Sequence, residues 1–169
     1  MNLINQKEGG DHPVEIDLTV EDLKKIPILG AISDPALELI RTFMRPRYFF
    51  GGDFIFRQGD FSYDAYIIIH GEAEVIKRTQ GRGEVGIALL GPMDVFGETS
   101  MIGIQNRFTT LRAVSPVSAL CLVVEGMNAL YRYDLKSYTI LLLNVARSLS
   151  RRVDQLVTII ADTKCGAFS

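Results

Sequence analysis

Gly97, Glu98 and Arg107 are residue types that can do chemistry together. They share one short connection, FGETSMIGIQNRFTTLRA over residues 96–113. Gly97 has no side chain, so backbone amides there can come close to a bound group. Glu98 can accept hydrogen bonds from hydroxyls. Arg107, nine residues on, presents a planar fork of donors suited to a phosphate. A ligand carrying a ribose hydroxyl and a phosphate would suit all three. The same residues also fit a surface turn with a Glu–Arg ion pair, and their spacing alone does not choose between the two.

Other chemistries find less support. The histidines are His12 and His70, the first near the N-terminus and the second toward the end of an alternating run. Two isolated histidines cannot build the usual ligand shell of a metal-dependent, cupin-type enzyme. No Ser-His-Asp arrangement or phosphate-binding loop of the P-loop type is visible, and no general base accompanies Glu98 and Arg107. The expectation is a protein without catalytic activity, cofactor or metal. The cysteines, Cys121 and Cys165, are far apart in sequence. Cys121 lies in an apolar run and reads as a buried small hydrophobe. Cys165 lies in the tail and reads as a free thiol rather than half of a disulfide or metal site.

The totals fit one globular domain. With 169 residues the chain can bury a sizeable core, and 47% hydrophobic with 22% charged residues is ordinary for a folded protein. Eighteen Lys and Arg against 20 Asp and Glu give a net charge of −2, so no global attraction to nucleic acid or acidic membranes is expected. The apolar runs Ala119 to Val124 and Ile140 to Leu143 stop at Glu125 and Asn144, well short of the roughly 20 residues that span a bilayer. The N-terminus is polar and acidic, unlike a signal peptide. A cytoplasmic location is expected.

The elements that must position the three residues follow from periodicity. Residues 1–17 read as a flexible leader and 18–46 as a helical segment. In that segment Thr19, with Asp22 three later, gives a capping-box pattern for a short helix through Lys25, closed by Pro27 and Gly30. Asp34-Pro35 starts a second helix that carries Leu37, Ile40, Arg41 and Met44 and ends at Pro46. From Arg47 the period becomes two. Apolar runs at Tyr48 to Phe50, Phe54 to Phe56, Ala65 to Lys77, Val85 to Leu90, Thr109 to Val114 and Val117 to Val124 are separated by Gly, Asp and Pro. In the third run Ala65, Ile67, Ile69, Gly71, Ala73 and Val75 share one face, which should be core. Gly81-Arg82-Gly83 marks a mobile hairpin tip. Residues 47–125 are therefore read as a β sandwich or barrel.

Residues 126–161 return to helix, and 162–169 form a tail. Asp134 can cap a long helix through about Ala161. Along it Leu142, Val145, Leu149, Val153, Leu156 and Ile160 step by three or four. Two readings fit this stripe: all of it packs on the sandwich, or its later half pairs with a second copy. Arg147, Arg151 and Asp154 read as a solvated face with weak ion pairs.

The 96–113 stretch resembles the phosphate-binding cassette of the cyclic nucleotide-binding domain family. That family includes protein kinase A regulatory subunits, cyclic nucleotide-gated channels and catabolite-activator-type regulators. Phe96, Gly97, Glu98, Arg107, Thr110, Leu111 and Ala113 match its pattern in register. Gly52-Asp53, Gly59-Asp60, Tyr66 to Gly71 and Leu90-Gly91-Pro92 add to the likeness, which runs from about Leu29 to the C-terminal helix.

The resemblance implies a jelly roll, or double-stranded β-helix, flanked by N-terminal helices and a long C-terminal helix. It implies cAMP or cGMP as ligand, with Glu98 on the ribose 2′-hydroxyl and Arg107 on the cyclic phosphate. Phe96, Gly97, Thr99, Ser100, Phe108 and Thr109 would complete the site, backbone amides of residues 97–99 adding donors. Phe108 and Thr109 depart from the pattern, which has small residues there; a phenyl ring at 108 either turns outward or narrows the pocket, and Thr109 can supply a hydroxyl.

By the same resemblance the C-terminal helix would move on binding, cover the base, pair with a second copy to give a homodimer, and signal to a downstream effector. A transcription regulator would need a helix-turn-helix after that helix, and residues 162–169 are too few for one, so no direct nucleic-acid binding by this chain is expected. The alternatives are the sensor part of a regulator whose DNA-binding domain is absent, and a degenerate module that only dimerises.

Overall fold

Thr19 begins the first helix by satisfying its own first turn. Its hydroxyl accepts from the Asp22 amide while the Asp22 carboxylate accepts from the Thr19 amide, a reciprocal cap for α1 (Val20–Leu23). In the computed structural model, which describes residues 12–81, 83–103 and 105–166, a 3₁₀ turn at Pro27–Leu29 and α2 (Asp34–Phe43) follow. Ala36, Leu37 and Ile40 form the buried face of α2.

Helix α2 stops before Pro46, and the strand begins earlier than its period suggested. Strand β1 (Met44–Phe49) includes Pro46, opposite Leu120. A residue preceding proline avoids the helical region, which drives Arg45 into extended backbone. Proline is tolerated because β1 is an edge strand.

The other strands are β2 (Phe54–Phe56), β3 (Ala65–His70), β4 (Ala73–Thr79), β5 (Gly83–Leu90), β6 (Val95–Phe96), β7 (Thr110–Ala113) and β8 (Val117–Leu122). They form two four-stranded antiparallel sheets with orders β1-β8-β3-β6 and β2-β7-β4-β5. This is the expected jelly roll with flanking helices.

The run from Ala65 to Lys77 is two strands, not one, and they belong to different sheets. Gly71 breaks it at φ +84°, where a Cβ would strike the Pro116 carbonyl. The expectation of a single core face is corrected as well. In β3, Ile67 and Ile69 join a core shared with the helices, while Ile68 joins a second core between the sheets with Phe96, Leu111, Val117 and Ala119. A strand covered on both faces has no polar face to alternate with. Each fully buried Ile or Leu here contributes about 1.5–3 kcal/mol.

Residues 12–17 are not the loose leader expected of them. Val14 is buried, Ser118 Oγ donates to its carbonyl at 2.5 Å, and the Ile16 amide donates to the Tyr48 hydroxyl at 3.1 Å. Gly81 and Gly83 flank the turn between β4 and β5; Arg82 lies outside the described residues, as does the side chain of Cys165. Cys121 is a buried free thiol.

Helices α4 (Val124–Tyr133) and α5 (Leu135–Gly166) meet at Asp134, whose carboxylate accepts from the Ser137 hydroxyl at 2.6 Å and amide at 3.1 Å. Those two bonds hold its carboxyl below the usual range. The two halves of the α5 stripe differ. Leu141 and Val145 are buried, and Asn144 ties α5 to the Ile28 and Gly30 carbonyls. Val153, Leu156, Val157 and Ile160 are each more than half exposed, so the reading in which the whole stripe packs on the sandwich fails. Arg147 bonds Asn144; among the described residues no ion pair joins it or Arg151 to Asp154. No described helix is long and apolar enough to cross a membrane.

Candidate functional site

Strand β6 ends at Phe96, and the following Gly97, with a φ of +80°, turns the chain into α3 (Glu98–Gly103). A Cβ at Gly97 would stand 2.8 Å from the Asp64 carbonyl oxygen and would run into Arg107 Nη1. Glycine is thus required both for its backbone angle and for the space the guanidinium takes.

Arg107 is 3% exposed. Its backbone is fixed to the turn before β3: its amide donates to the Asp60 carbonyl at 2.9 Å, and its carbonyl accepts from the Gly59 amide at 2.9 Å. Nη1 donates to the Gly97 carbonyl at 3.1 Å, and Nη2 donates to Ser62 Oγ at 2.9 Å and the Asp64 carbonyl at 2.7 Å. The guanidinium lies 4.4 Å from the Phe56 ring centre. Around it Tyr66 and Phe96 stack in parallel at 5.2 Å. Burial pulls the guanidinium below its ordinary pKa, with Tyr66 and Asp64 acting against that. Burial also pushes the Tyr66 phenol up to about 12.

Glu98 is 2% exposed, and its ion pair is not with Arg107. Arg152 of α5 donates from Nη1 to Glu98 Oε1 at 2.5 Å and from Nη2 to the Val95 carbonyl. Burial pushes the Glu98 carboxyl above its ordinary value, while Arg152, its own backbone amide and Arg107 act in the opposite sense. The simple surface-turn reading therefore fails at both ends: the two residues are buried, and they have different partners.

Glu98 and Arg107 do face one cavity of about 900 Å³. All eight candidate residues line it: Phe96, Gly97, Glu98, Thr99, Ser100, Arg107, Phe108 and Thr109. Their circumstances differ. Phe96 and Ser100 are buried, and Phe96 is as much a part of the inter-sheet core as of the cavity wall. Thr99 and Thr109 are half-buried. Phe108 is 52% exposed at the rim, its carbonyl held by Lys77 Nζ at 2.6 Å, so its ring does not fill the space between Glu98 and Arg107. On the far side α5 supplies Leu149, Arg152, Val153 and Leu156, and β4 and β5 supply Val75, Ile87 and Leu89.

Arg152, Ser62 and Asp64 are the participants that sequence reasoning missed. Arg152 left a trace: it falls three residues after Leu149 and four before Leu156, a charge on the apolar stripe itself. Ser62 and the Asp64 carbonyl left none, because a hydroxyl and a backbone oxygen in a loop have no pattern. Among the described residues no group of three or more His, Cys, Asp or Glu is placed to hold a metal ion.

The family model of the cyclic nucleotide-binding domain matches residues 46–134, more than half of the chain. The chain belongs to the cyclic nucleotide-binding domain family. It is similar to the cyclic AMP receptor protein of Thermus thermophilus, with 28% identity over 131 residues, covering 78% of this chain and 59% of that protein. It is also similar to a cGMP-dependent protein kinase of Caenorhabditis briggsae, with 28% identity over 130 residues, covering 76% of this chain and 17% of the kinase. The chain thus spans less than two thirds of either relative. In fold it resembles a cyclic nucleotide-binding domain from Methylobacillus flagellatus, with TM-score 0.75, 22% identity, and coverage of 92% of this chain and 90% of that one.

Proposed function

We propose that this chain is a cyclic nucleotide sensor, taking cAMP or cGMP between the 96–109 stretch and α5 and signalling through α5. One observation carries the reading. Among the described residues, the buried side-chain polar atoms without a hydrogen-bond partner are Glu98 Oε2 and Arg107 Nε, and both residues border the same cavity. Each such atom costs about 1–3 kcal/mol while unpaired. The first is an acceptor, which suits a sugar hydroxyl. The second is a charged donor, which suits a phosphate oxygen. The cavity volume lies in the range that holds a small ligand.

The coupling runs through Glu98, since the residue that would meet the sugar also holds α5 through Arg152. A ligand shifts α5 only as far as it binds the two helix positions unequally. The exposed half of α5 would pair with a second copy, giving a homodimer whose helices report to an effector protein. In this reading the chain is a cytoplasmic regulatory domain with no reaction of its own. It has no dedicated membrane or nucleic-acid contact, and a separate DNA-binding or effector module would supply the output.

A second reading, a dimerisation module that takes no nucleotide, is favoured by one fact: both terminal nitrogens of Arg107 already bond protein groups. Calorimetry with cAMP and cGMP separates the two. The sensor should bind one of them, and Arg107→Ala should weaken that binding by about 1.5–3 kcal/mol. No heat and no thermal shift with either nucleotide would leave the dimerisation module.

A further inference from the structure

Arg107 offers a bound phosphate two edges, and they are not equally free. In a planar guanidinium the Nε hydrogen lies on the same edge as one Nη2 hydrogen, and a side-on phosphate takes both together. Nε is buried and unpaired. Nη2 carries two partners, Ser62 Oγ at 2.9 Å and the Asp64 carbonyl at 2.7 Å. Two acceptors on two hydrogens leave neither Nη2 hydrogen free for a phosphate oxygen, and of the two only Ser62 Oγ can withdraw by turning a side chain.

We propose that Ser62 is a built-in competitor for the ligand's phosphate, and that its hydroxyl sets the affinity of the site by holding Arg107 while the ligand is absent. This rests on the sensor reading above. Ser62 is suited to yield. It lies in the irregular segment between Gly59 and β3, beside Phe61, which is 74% exposed. Its bond to Arg107 is neutral on one side, whereas a phosphate offers charge on both and is the stronger partner. A second consequence follows. When the phosphate replaces Ser62, the 60–64 segment loses its side-chain hold on Arg107, so ligand occupancy reaches that segment as well as α5.

The test is calorimetry with cAMP and cGMP on the full chain as wild type, Ser62→Ala, Ser62→Thr and Ser62→Asp, with unfolding of each unliganded variant measured alongside. Removing the hydroxyl weakens only the free state, so Ser62→Ala should bind about three- to tenfold tighter while its unliganded melting temperature stays equal or falls. Ser62→Thr keeps the hydroxyl and should bind as wild type does. Ser62→Asp should hold the guanidinium with a carboxylate and bind at least about tenfold more weakly. Weaker or unchanged binding by Ser62→Ala overturns the proposal, the weaker case meaning that the hydroxyl donates to the ligand. Failure of the sensor reading looks different: wild type and Ser62→Ala both give no heat. Binding by Ser62→Ala alone would support the competitor.

Discussion

Arg152 Nη1 lies 2.5 Å from Glu98 Oε1, and its other terminal nitrogen reaches the Val95 carbonyl. One guanidinium thereby fastens the middle of α5 to both ends of a turn: the strand that enters it and the carboxylate just past Gly97. Glu98 is buried and Arg152 is only partly so, which places the energetic dependence on the carboxylate side.

Arg152→Ala should leave a buried carboxylate without its ion-pair partner. A fully buried broken pair costs about 3–5 kcal/mol; with Arg152 partly in solvent the expected loss is about 1–3 kcal/mol. Urea unfolding measures this, and an unchanged midpoint would mean that the bridge does not hold α5 down.

Gly97→Ala should damage stability and binding together. The added methyl meets the Asp64 carbonyl and the Arg107 guanidinium in a backbone conformation that alanine resists. A loss of about 1–3 kcal/mol is expected from the strain. At least about tenfold weaker nucleotide binding should accompany it as Arg107 is displaced. Denaturation and calorimetry on one preparation check both, and normal binding would show that Arg107 does not depend on this glycine.

Burial sets a pH dependence at Glu98. Its folded pKa is raised, so the folded chain holds the proton more tightly than the unfolded chain. The stability from this group is fully present below the unfolded carboxyl value of about 4.3 and is lost as pH rises through the folded value. Glu98→Gln removes the titration. The melting temperature of the variant minus that of wild type should therefore grow from pH 4 to pH 7, and a flat or shrinking difference would contradict the assigned direction.

The exposed stripe makes a separable prediction. Val157→Glu, outside the cavity wall, places a charge among Val153, Leu156 and Ile160. Sedimentation should find the wild type as a dimer and the variant with dimer affinity at least about tenfold weaker. Two equally monomeric proteins would remove α5 from the interface.

What was legible in the sequence was local. The change of period near residue 47, the Thr19–Asp22 cap, the Asp134 junction and the order Gly97, Glu98, Arg107 are each written within a few residues, so a β sandwich or barrel flanked by helices could be read directly, whereas the jelly roll and the other candidate positions came with the family resemblance. The errors came where period and proximity part company. Residues 65–77 kept one alternation although Gly71 sends the chain into another sheet. Residues 12–17 look polar, yet Val14 finds a site against Ser118.

Residue types and their short-range order placed Glu98 and Arg107 on one short connection between apolar runs. Tertiary structure alone decided what each holds in the absence of ligand: Arg152, 54 residues from Glu98, and Ser62, 45 residues from Arg107. The physical reason is that periodicity reports which face of an element is buried, whereas the partner of a buried charge depends on which distant segments the packing brings within hydrogen-bond reach.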